Sequence, residues 1–455
     1  MRAPRFLIAA AHKSSGKTVV STGLAAALAA RGLTVAAFKK GPDYIDPMWL
    51  SAAADRSCHN LDFNTQSLAE IGRFFARKAE GADVSLVEAN KGLYDGVAMD
   101  GSDSNAALAK LLGLPVILVI DTGGMTRGIA PLLMGYKAFD PAVNIAGVIL
   151  NKVGGPRHEA KLREAVATYT GLPVVGAVPR HQGLEIGERH LGLTTPGETG
   201  EFKTTIRKFA QIVGTSVDLD LLLELAAKAP DLPDPAPMPE KPAPDLTIAY
   251  ARDRAFGFYY PDDLAAFAEA GARLVPFDTM KDEALPACDG LFIGGGFPEM
   301  FIEALAANAT LRADIKTKIE AGLPTYAECG GLMYLARNIR NGARFGPMVG
   351  VIAADAVMHK PPQGRGYTRL TDTEAHPWPG TGRTAAHEFH YARLEKIEGT
   401  PIFTRDIARG HGVDGAHDGI LLHNLVAGFC HLRSTEADPW VARFAGFVRA
   451  QKTSG

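Results

Sequence analysis

The chain has 455 residues, of which 46% are hydrophobic, enough for the cores of two ordinary globular domains. Its 48 basic and 50 acidic residues leave a formal net charge of -2, which argues against a nucleic acid or another polyanion as the main partner. No apolar run approaches the ~20 residues of a membrane span, and the four cysteines show no C-x-x-C pair. We therefore expect a cytoplasmic protein without a disulfide framework.

The first half of the chain alternates short apolar runs with amphipathic helical stretches. Continuous hydrophobicity is typical of parallel strands covered on both faces. A helix is predicted from Lys17 and is stopped by Gly32. The predicted strands are 5–11 (RFLIAAA), 34–39, 83–89, 115–121, 144–152 and 173–179.

A proline-rich stretch, 229–245 (APDLPDPAPMPEKPAPD), separates the two halves, because closely spaced prolines favour an extended spacer. The predicted domains are therefore 1–228 and 246–455. The second half carries predicted strands at 246–251, 273–277, 290–296 and 324–329, followed by more polar β-like segments, YTRLTD and HEFHYARLE. The whole pattern indicates two α/β domains.

Residues 11–20, AHKSSGKTVV, nearly match the phosphate loop G-x-x-x-x-G-K-[ST], with Ala11 in place of the first glycine. The loop lies between a predicted strand and a predicted helix, whose N-terminus favours an anion. Alanine is the smallest replacement, so we expect the loop to hold ATP; an ordinary strand–helix turn is the alternative. The predicted ATP-binding residues here are Ser14, Ser15, Gly16, Lys17 and Thr18.

Polar residues also follow the second, third and fifth strands, in KKGPDYIDP, VEANKGLYDG and NKVGG. Ligands of open parallel sheets bind at the carboxyl ends of the strands, so these residues should face the same crevice as the loop. Mg²⁺ prefers hard oxygen ligands, which makes Thr18, Asp43 and Glu88 its predicted ligands. Asn151 is placed where a side-chain amide could read the nucleotide base.

The strongest segment of the second half is PTYAECGGLMYLA, in which a strand ends at Cys329 and Gly330-Gly331 opens a helix. A sharp strand–helix turn exposes a nucleophile, and the helix N-terminus favours a thiolate. Gly330 and Gly295 are predicted oxyanion donors, and His431 is the predicted base. A buried structural cysteine with a core histidine remains the alternative. The histidines of HEFH, 387–390, lack the H-E-x-x-H spacing of a zinc site.

Together the two halves resemble the cobyrinic acid a,c-diamide synthase family, which includes hydrogenobyrinic acid a,c-diamide synthase. The resemblance covers nearly the whole chain. Its marks, in order, are SSGKT, KKGPDYIDP, GLYDG, ERHLGL, GGGFPE, AECGGLMYL and HEFHY. It implies a dethiobiotin-synthetase-like ATP domain with a parallel sheet, joined to a class I glutamine amidotransferase domain.

The resemblance implies that glutamine is hydrolysed through a thioester at Cys329 and that ammonia passes to the first domain. There ATP and Mg²⁺ phosphorylate acetate carboxylates of a tetrapyrrole in cobalamin biosynthesis, and ammonia converts them to amides. Lys40, Tyr44 and Asp95 are implied at the substrate or transferring phosphate. The partners are thus small molecules, with no nucleic acid or membrane, and a homodimer is left open.

Three positions depart from the family's usual motifs. The loop reads KSSGKT where SGSGKT is common, and EANK precedes GLYDG where EGVM is common. The histidine is followed by Leu432 and Arg433 where H-x-E is common, so a Cys–His dyad is expected. Lys91, within EANK, leaves sirohaem or another tetrapyrrole open as the substrate, and a P-loop partitioning or scaffold ATPase is the remote alternative.

Overall fold

The computed structural model describes residues 3–184, 188–189, 192–193, 202–235, 240–380 and 382–454. The chain divides into two compact units, Met1–Pro237 and Met238–Gly455, and the division falls within the proline-rich stretch 229–245. Residues 236–239 of that stretch and 190–191 of the ERHLGL motif lie outside the described residues. Each unit combines helices with a large sheet, which confirms the α/β class.

The first unit is built on a sheet of seven strands. These are β1 (Arg5–Ala10), β2 (Val35–Lys40), β3 (His59–Leu61), β4 (Val84–Glu88), β5 (Val116–Asp121), β6 (Ile145–Val153) and β7 (Val174–Pro179). All neighbours pair in parallel, in the order β3-β2-β4-β1-β5-β6-β7. The six predicted strands are confirmed; β3, with three residues, is too short to show a hydrophobic pattern.

Helices accompany this sheet, and the first begins where the sequence predicts. They are α1 (Lys17–Ala30), α2 (Ile45–Ala54), α3 (Leu68–Ala79), α4 (Asn105–Leu112), α5 (Ile129–Phe139), α6 (Pro156–Thr170), α7 (Phe202–Ser216) and α8 (Leu219–Ala226); a two-residue pair, β8 (Glu188–Arg189) and β9 (Gly192–Leu193), lies before α7. Gly32, at φ 83°, follows the end of α1 in the left-handed region. Parallel strands end at a common edge, so the loops after β1, β2, β4 and β6 share one edge of the sheet.

The second unit contains more strands than helices. Its strands are β10 (Leu246–Ala251), β11 (Phe256–Phe258), β12 (Ala272–Phe277), β13 (Gly290–Ile293), β14 (Gly295–Gly296), β15 (Thr325–Glu328), β16 (Ala336–Asn341), β17 (Arg344–Pro347), β18 (Ile352–Met358), β19 (Gly364–Asp372), β20 (Arg383–His390), β21 (Ala392–Glu395), β22 (Ile402–Arg409), β23 (His417–Leu422) and β24 (Leu425–Gly428). Its helices are α9 (Pro261–Glu269), α10 (Ile302–Ala307), α11 (Ala309–Glu320), α12 (Gly330–Leu335) and α13 (Trp440–Ser454).

Nine of these strands form one mixed sheet in the order β12-β10-β13-β15-β24-β23-β22-β19-β20. The half from β12 to β24 is parallel, and the half from β24 to β20 is antiparallel. A four-stranded sheet, β17-β16-β18-β21, and a two-stranded pair, β11-β14, complete the unit. The mixed sheet places β15, which ends just before Cys329, beside β24, which leads to His431.

Candidate active site

The phosphate loop, residues 11–16, connects β1 to α1. Ser14 and Gly16 adopt left-handed backbone angles, φ 63° and 86°, whereas Ala11 does not have a positive φ. Left-handed residues in such a loop turn successive N–H groups to one side, where they can bind an anion. The structure therefore explains why the first glycine is dispensable, since position 11 demands no left-handed conformation.

Side chains from the rest of the unit brace this loop. Asn151, at the end of β6, donates its amide Nδ2 to the Ser15 carbonyl at 2.8 Å. A Cβ at residue 16 would lie 2.3 Å from that Nδ2, so only glycine fits there. The Ser15 hydroxyl donates to the His12 carbonyl at 2.8 Å, which leaves only its backbone to meet phosphate. Asn151 thus holds the loop; its contact with a nucleotide base stays a prediction.

A buried ammonium and several carboxylates meet beside the loop. Lys39 Nζ lies 2.8 Å from Glu88 Oε1, 2.5 Å from Asp46 Oδ2 and 3.9 Å from Asp43 Oδ2. Thr18 donates its hydroxyl to Glu88 Oε1 at 2.9 Å. The structure therefore brings together Thr18, Asp43 and Glu88, the three predicted metal ligands, and adds Lys39 and Asp46 to them.

The charges of this cluster perturb one another strongly. Burial and the neighbouring Lys39 lower the pKa of Lys17 to about 8. Burial also disfavours the charge of Lys39, but Asp46 and Glu88 outweigh it and raise the pKa of that ammonium. Burial raises the pKa of Glu88, although Lys39 opposes this shift. Strongly perturbed pKa values of this kind cluster at functional sites.

The oxygen atoms of the cluster fit a magnesium ion. Glu88 Oε2 is buried and has no hydrogen-bond partner among the described residues, so one carboxylate oxygen is left to accept a cation. In the described ranges, no group of three or more His, Cys, Asp or Glu side chains is placed to hold a metal by itself. Mg²⁺ usually takes one or two carboxylates and completes its shell with phosphate oxygens and water, so the free oxygen of Glu88 is the observation that fits it.

The residues expected near the substrate lie at the end of β2, at the start of α2 and on the loop after β4, all at the same sheet edge. Lys40 Nζ donates to the Asp103 carbonyl at 2.5 Å. Asp95 Oδ2 accepts from the Gly92 N–H at 3.0 Å, and its charge raises the pKa of Lys17 against the effect of burial. Tyr44 is buried at the start of α2. Asp95 therefore lies close enough to the phosphate loop to act on the charge of Lys17.

In the second unit, Cys329 occupies a strained turn between β15 and α12. Its φ of 48° and ψ of -101° are unusual for a residue with a Cβ, and its side chain is buried. The Cys329 N–H donates to the Gly428 carbonyl at 2.8 Å, and its carbonyl accepts from the Met333 N–H. This is the predicted strand–turn–helix geometry. Gly330 is the first residue of α12, and a Cβ there would lie 3.0 Å from the backbone nitrogen of Gly296.

His431 meets this cysteine although the two are distant in sequence. Backbone hydrogen bonds with His387 fix it: the His431 N–H donates to the His387 carbonyl at 2.7 Å, and the reverse bond measures 3.3 Å. Burial disfavours its charged form, but charge interactions and hydrogen bonds with Cys329 and Glu328 raise the pKa of His431 to about 10. The arrangement places a basic side chain beside the cysteine, as nucleophilic catalysis by a cysteine requires.

A carboxylate reaches His431 from a residue that sequence reasoning missed. Glu328 Oε2 lies 3.4 Å from His431 Nδ1, and both side chains are buried. The H-x-E position holds Arg433, whose Nε pairs with Asp262 Oδ2 at 3.0 Å. Glu328 immediately precedes the cysteine, and its place on a wholly buried strand was the signal that could have revealed it.

The histidines of HEFH have different surroundings. His387 stacks on His431 with ring centroids 4.9 Å apart and an angle of 17° between the rings. His390 stacks on Phe429, with centroids 4.0 Å apart, and its Nδ1 lies 2.9 Å from the Ala392 carbonyl. His387 therefore belongs to the cysteine site. Gly295 also borders it, since a Cβ there would lie 2.5 Å from His431 Cε1.

Comparison with known proteins agrees with this division. The CobQ/CobB/MinD/ParA nucleotide binding domain matches residues 6–193, and the CobB/CobQ-like glutamine amidotransferase domain matches residues 247–439. A cobyrinate a,c-diamide synthase of Magnetococcus marinus is 44% identical over 456 residues, covering 98% of this chain and 98% of that protein. The chain belongs to the cobyrinate a,c-diamide synthase family.

Further members of the cobyrinate a,c-diamide synthase family support the assignment. The relative from Dehalococcoides mccartyi strain 195 is 39% identical and covers 99% of both chains. The relative from Methanosarcina acetivorans is 37% identical and covers 94% of this chain and 92% of its own length. Membership makes the chain a glutamine-hydrolysing amide ligase of cobalamin biosynthesis with a nucleotide-binding domain, and the amidotransferase match excludes a partitioning ATPase. No helix in the described ranges is long and apolar enough to cross a membrane.

Proposed function

We propose that the enzyme converts the a and c acetate carboxylates of cobyrinate to amides, using ATP, Mg²⁺ and glutamine. The observation that carries the proposal is the strained Cys329 beside His431, on the same chain as a phosphate loop that adjoins buried carboxylates. The first feature suits release of ammonia from glutamine, and the second suits activation of a carboxylate by ATP. Neither alone would make an amide.

The glutaminase half of the reaction begins with attack of the Cys329 thiolate on the side-chain amide carbon of glutamine. The N–H groups of Gly330 and Gly295 are proposed to stabilise the oxyanion. His431 takes the thiol proton and delivers it to the departing ammonia, which leaves a glutamyl thioester. Water then hydrolyses the thioester, with His431 accepting a proton from it, and releases glutamate.

In the synthetase half, the loop N–H groups and Lys17 hold the phosphates of ATP. Thr18, Asp43 and Glu88 are proposed to hold Mg²⁺, which neutralises the charge of the transferring phosphate when bound. A substrate carboxylate oxygen attacks the terminal phosphorus, ADP leaves, and an acyl phosphate forms. Ammonia then displaces phosphate at the acyl carbon. We place Lys40, Tyr44 and Asp95 at the substrate side of this site.

The proposal includes a cytoplasmic location, catalytic domains at 1–228 and 246–455, and the linker 229–245 between them. All four cysteines are free, which suits a reducing compartment. Within the described part of the linker, residues 230–235 and 240–245 form neither helix nor strand. A short spacer of this composition would keep two catalytic domains on one chain.

Mass spectrometry tests the substrate assignment. The protein is incubated with ATP, Mg²⁺ and glutamine together with cobyrinate, hydrogenobyrinate or sirohaem, and each amidation lowers the mass by about one unit. Two steps on cobyrinate are expected. Amidation of sirohaem with no reaction of cobyrinate would contradict the proposed substrate while leaving the amide chemistry intact.

The two-site scheme is tested with Cys329→Ser. This variant should lose glutamine-dependent amidation, because a serine hydroxyl is a far weaker nucleophile than a thiolate, but should work with an ammonium salt. The matched control is Cys288→Ser, since Cys288 is a free, half-buried cysteine of the same unit and should retain both activities. A folded Cys329→Ser variant that ammonium fails to rescue would contradict the scheme.

A further inference from the structure

The residue two positions after His431 cannot orient the imidazole ring. Arg433 occupies that position, and its guanidinium is taken up by Asp262 at 3.0 Å and lies over the ring of Tyr260, 5.2 Å from the centroid. A cationic side chain in this place would in any case disfavour the protonated imidazole. The orienting group for His431 must therefore come from another element of the unit.

Glu328 supplies a carboxylate whose orientation is held by hydrogen bonds. Its Oε1 accepts two hydrogen bonds, from the Tyr326 hydroxyl at 2.7 Å and from the Leu432 N–H at 2.9 Å. These donors hold one oxygen and leave Oε2 facing His431 Nδ1 at 3.4 Å. Both side chains are only 3% exposed, so solvent screens the interaction weakly.

The position of this carboxylate determines what the imidazole can do. A carboxylate at Nδ1 keeps a proton on that nitrogen, which leaves Nε2 to take the proton of the Cys329 thiol. It also stabilises the imidazolium that results. On its other side the ring stacks on His387, whose pKa is held well below its ordinary value by burial, by His431 and by Arg433. His387 is therefore neutral and adds no competing positive charge.

We propose that Glu328 is the positioning residue of the glutaminase site and acts through His431. It would have the role that the glutamate of the H-x-E motif has in other class I amidotransferases. The inference rests on the proposed glutaminase function of Cys329 and His431. It predicts a Cys329–His431–Glu328 triad in which the carboxylate comes from the residue directly before the nucleophile. Both neighbouring residues interact with His431, and Cys329 does so from a turn with φ 48° and ψ -101° that follows the strand carrying Glu328.

The test is Glu328→Gln, which keeps the shape and the Oε1 acceptor but removes the charge. We expect kcat for glutamine hydrolysis to fall by at least about 100-fold with little change in KM, since an unaided imidazole no longer holds the right tautomer. The matched control is Glu395→Gln, because Glu395 also pairs with a histidine, His359 Nε2 at 3.1 Å, but on the exposed surface. That control should hydrolyse glutamine at the wild-type rate.

A second readout separates positioning from mere structural support. The rate at which iodoacetamide alkylates Cys329 is measured against pH, and Glu328→Gln should move the midpoint of the profile to higher pH. The reason is that loss of the carboxylate destabilises the imidazolium that accompanies the thiolate. The other charged and titratable groups that interact with His431, His387 or Glu328 are unchanged, namely Cys329, Arg433, Asp263, Tyr259 and Tyr326. Glu328→Asp should recover part of the lost kcat.

The outcomes are distinguishable. A folded Glu328→Gln variant with wild-type kcat and an unshifted alkylation profile would overturn the role of Glu328 while the glutaminase stands. If wild-type protein hydrolyses no glutamine, or if Cys329→Ser still does, the proposed function itself fails. Should Glu328→Gln not fold, Tyr326→Phe replaces it, since it removes one of the two donors to Oε1. A smaller change in the same directions is then expected, and none at all would overturn the inference.

Discussion

Gly295 lies against the imidazole of His431, and a methyl group placed there should disable the glutaminase. The Cβ of an alanine would lie 2.5 Å from His431 Cε1 and 3.4 Å from Nδ1. The backbone at Gly295 has no positive φ, so alanine is conformationally acceptable and retains the N–H proposed for the oxyanion. The substitution therefore acts chiefly on the position of the histidine ring.

The size of the effect follows from the geometry. An ordinary contact begins at 3.4 Å, so the ring or the strand must withdraw by about 0.9 Å. A displacement of about 1 Å in a catalytic group costs about 100-fold in rate, which corresponds to about 2.7 kcal/mol of activation free energy. Overpacking of this kind also lowers the free energy of unfolding by about 1–3 kcal/mol.

The assay compares glutamine-dependent and ammonium-dependent amidation in Gly295→Ala. The first should fall about 100-fold and the second should persist, because the synthetase site lies in the other unit. Gly446→Ala on α13 is the matched control, since its Cβ would meet Pro379 at an ordinary 3.4 Å. A folded Gly295→Ala variant that hydrolyses glutamine at the wild-type rate would refute the reasoning, because the base would then not need its observed position.

Two further predictions concern the synthetase site. Glu88→Gln or Asp43→Asn should reduce amidation at least about 100-fold with either nitrogen source while glutamine hydrolysis continues, because the oxygen ligands proposed for Mg²⁺ are lost. Full amidation in both variants, measured by mass spectrometry, would contradict that assignment. The Kd for ATP, measured by calorimetry, should rise above pH 8, because Lys17, with a pKa lowered to about 8, loses its charge there in the free protein. Binding is expected to weaken about tenfold by pH 9. Lys17→Arg, which stays charged, should abolish this dependence, and a wild-type Kd that is constant from pH 7 to 9 would contradict the assignment.

The sequence was sufficient to identify structural features that depend only on residues adjacent in the chain. Uninterrupted apolar runs marked six strands of the first sheet, because strands buried on both faces need hydrophobic side chains at every position. The phosphate loop and the turn at Cys329 were recognisable for the same reason, since the backbone conformation each requires is set by a few adjacent residues. The order of the motifs then indicated the family.

Neighbouring lysines illustrate where such reasoning ends. Lys40 at the substrate stays a prediction, and the structure adds Lys39, whose ammonium lies among Glu88, Asp46 and Asp43. Successive side chains of a strand point to opposite faces, and the sequence alone did not show which face of β2 meets the crevice. Pairing of β2 with β4 in parallel places Lys39 opposite Glu88, and that pairing is a property of the sheet.

What the sequence determined by itself was therefore the fold class, the strand–helix turns at Lys17 and Cys329, and the family. What only the tertiary structure decided was the set of contacts between distant segments. Lys39 and Glu88 are 49 residues apart, Asn151 and Ser15 are 136 apart, and Glu328 faces His431 across two neighbouring strands. Local preferences specify each strand, but the register and order of the strands in the sheet determine which side chains meet, and with them the charge and orientation of both sites.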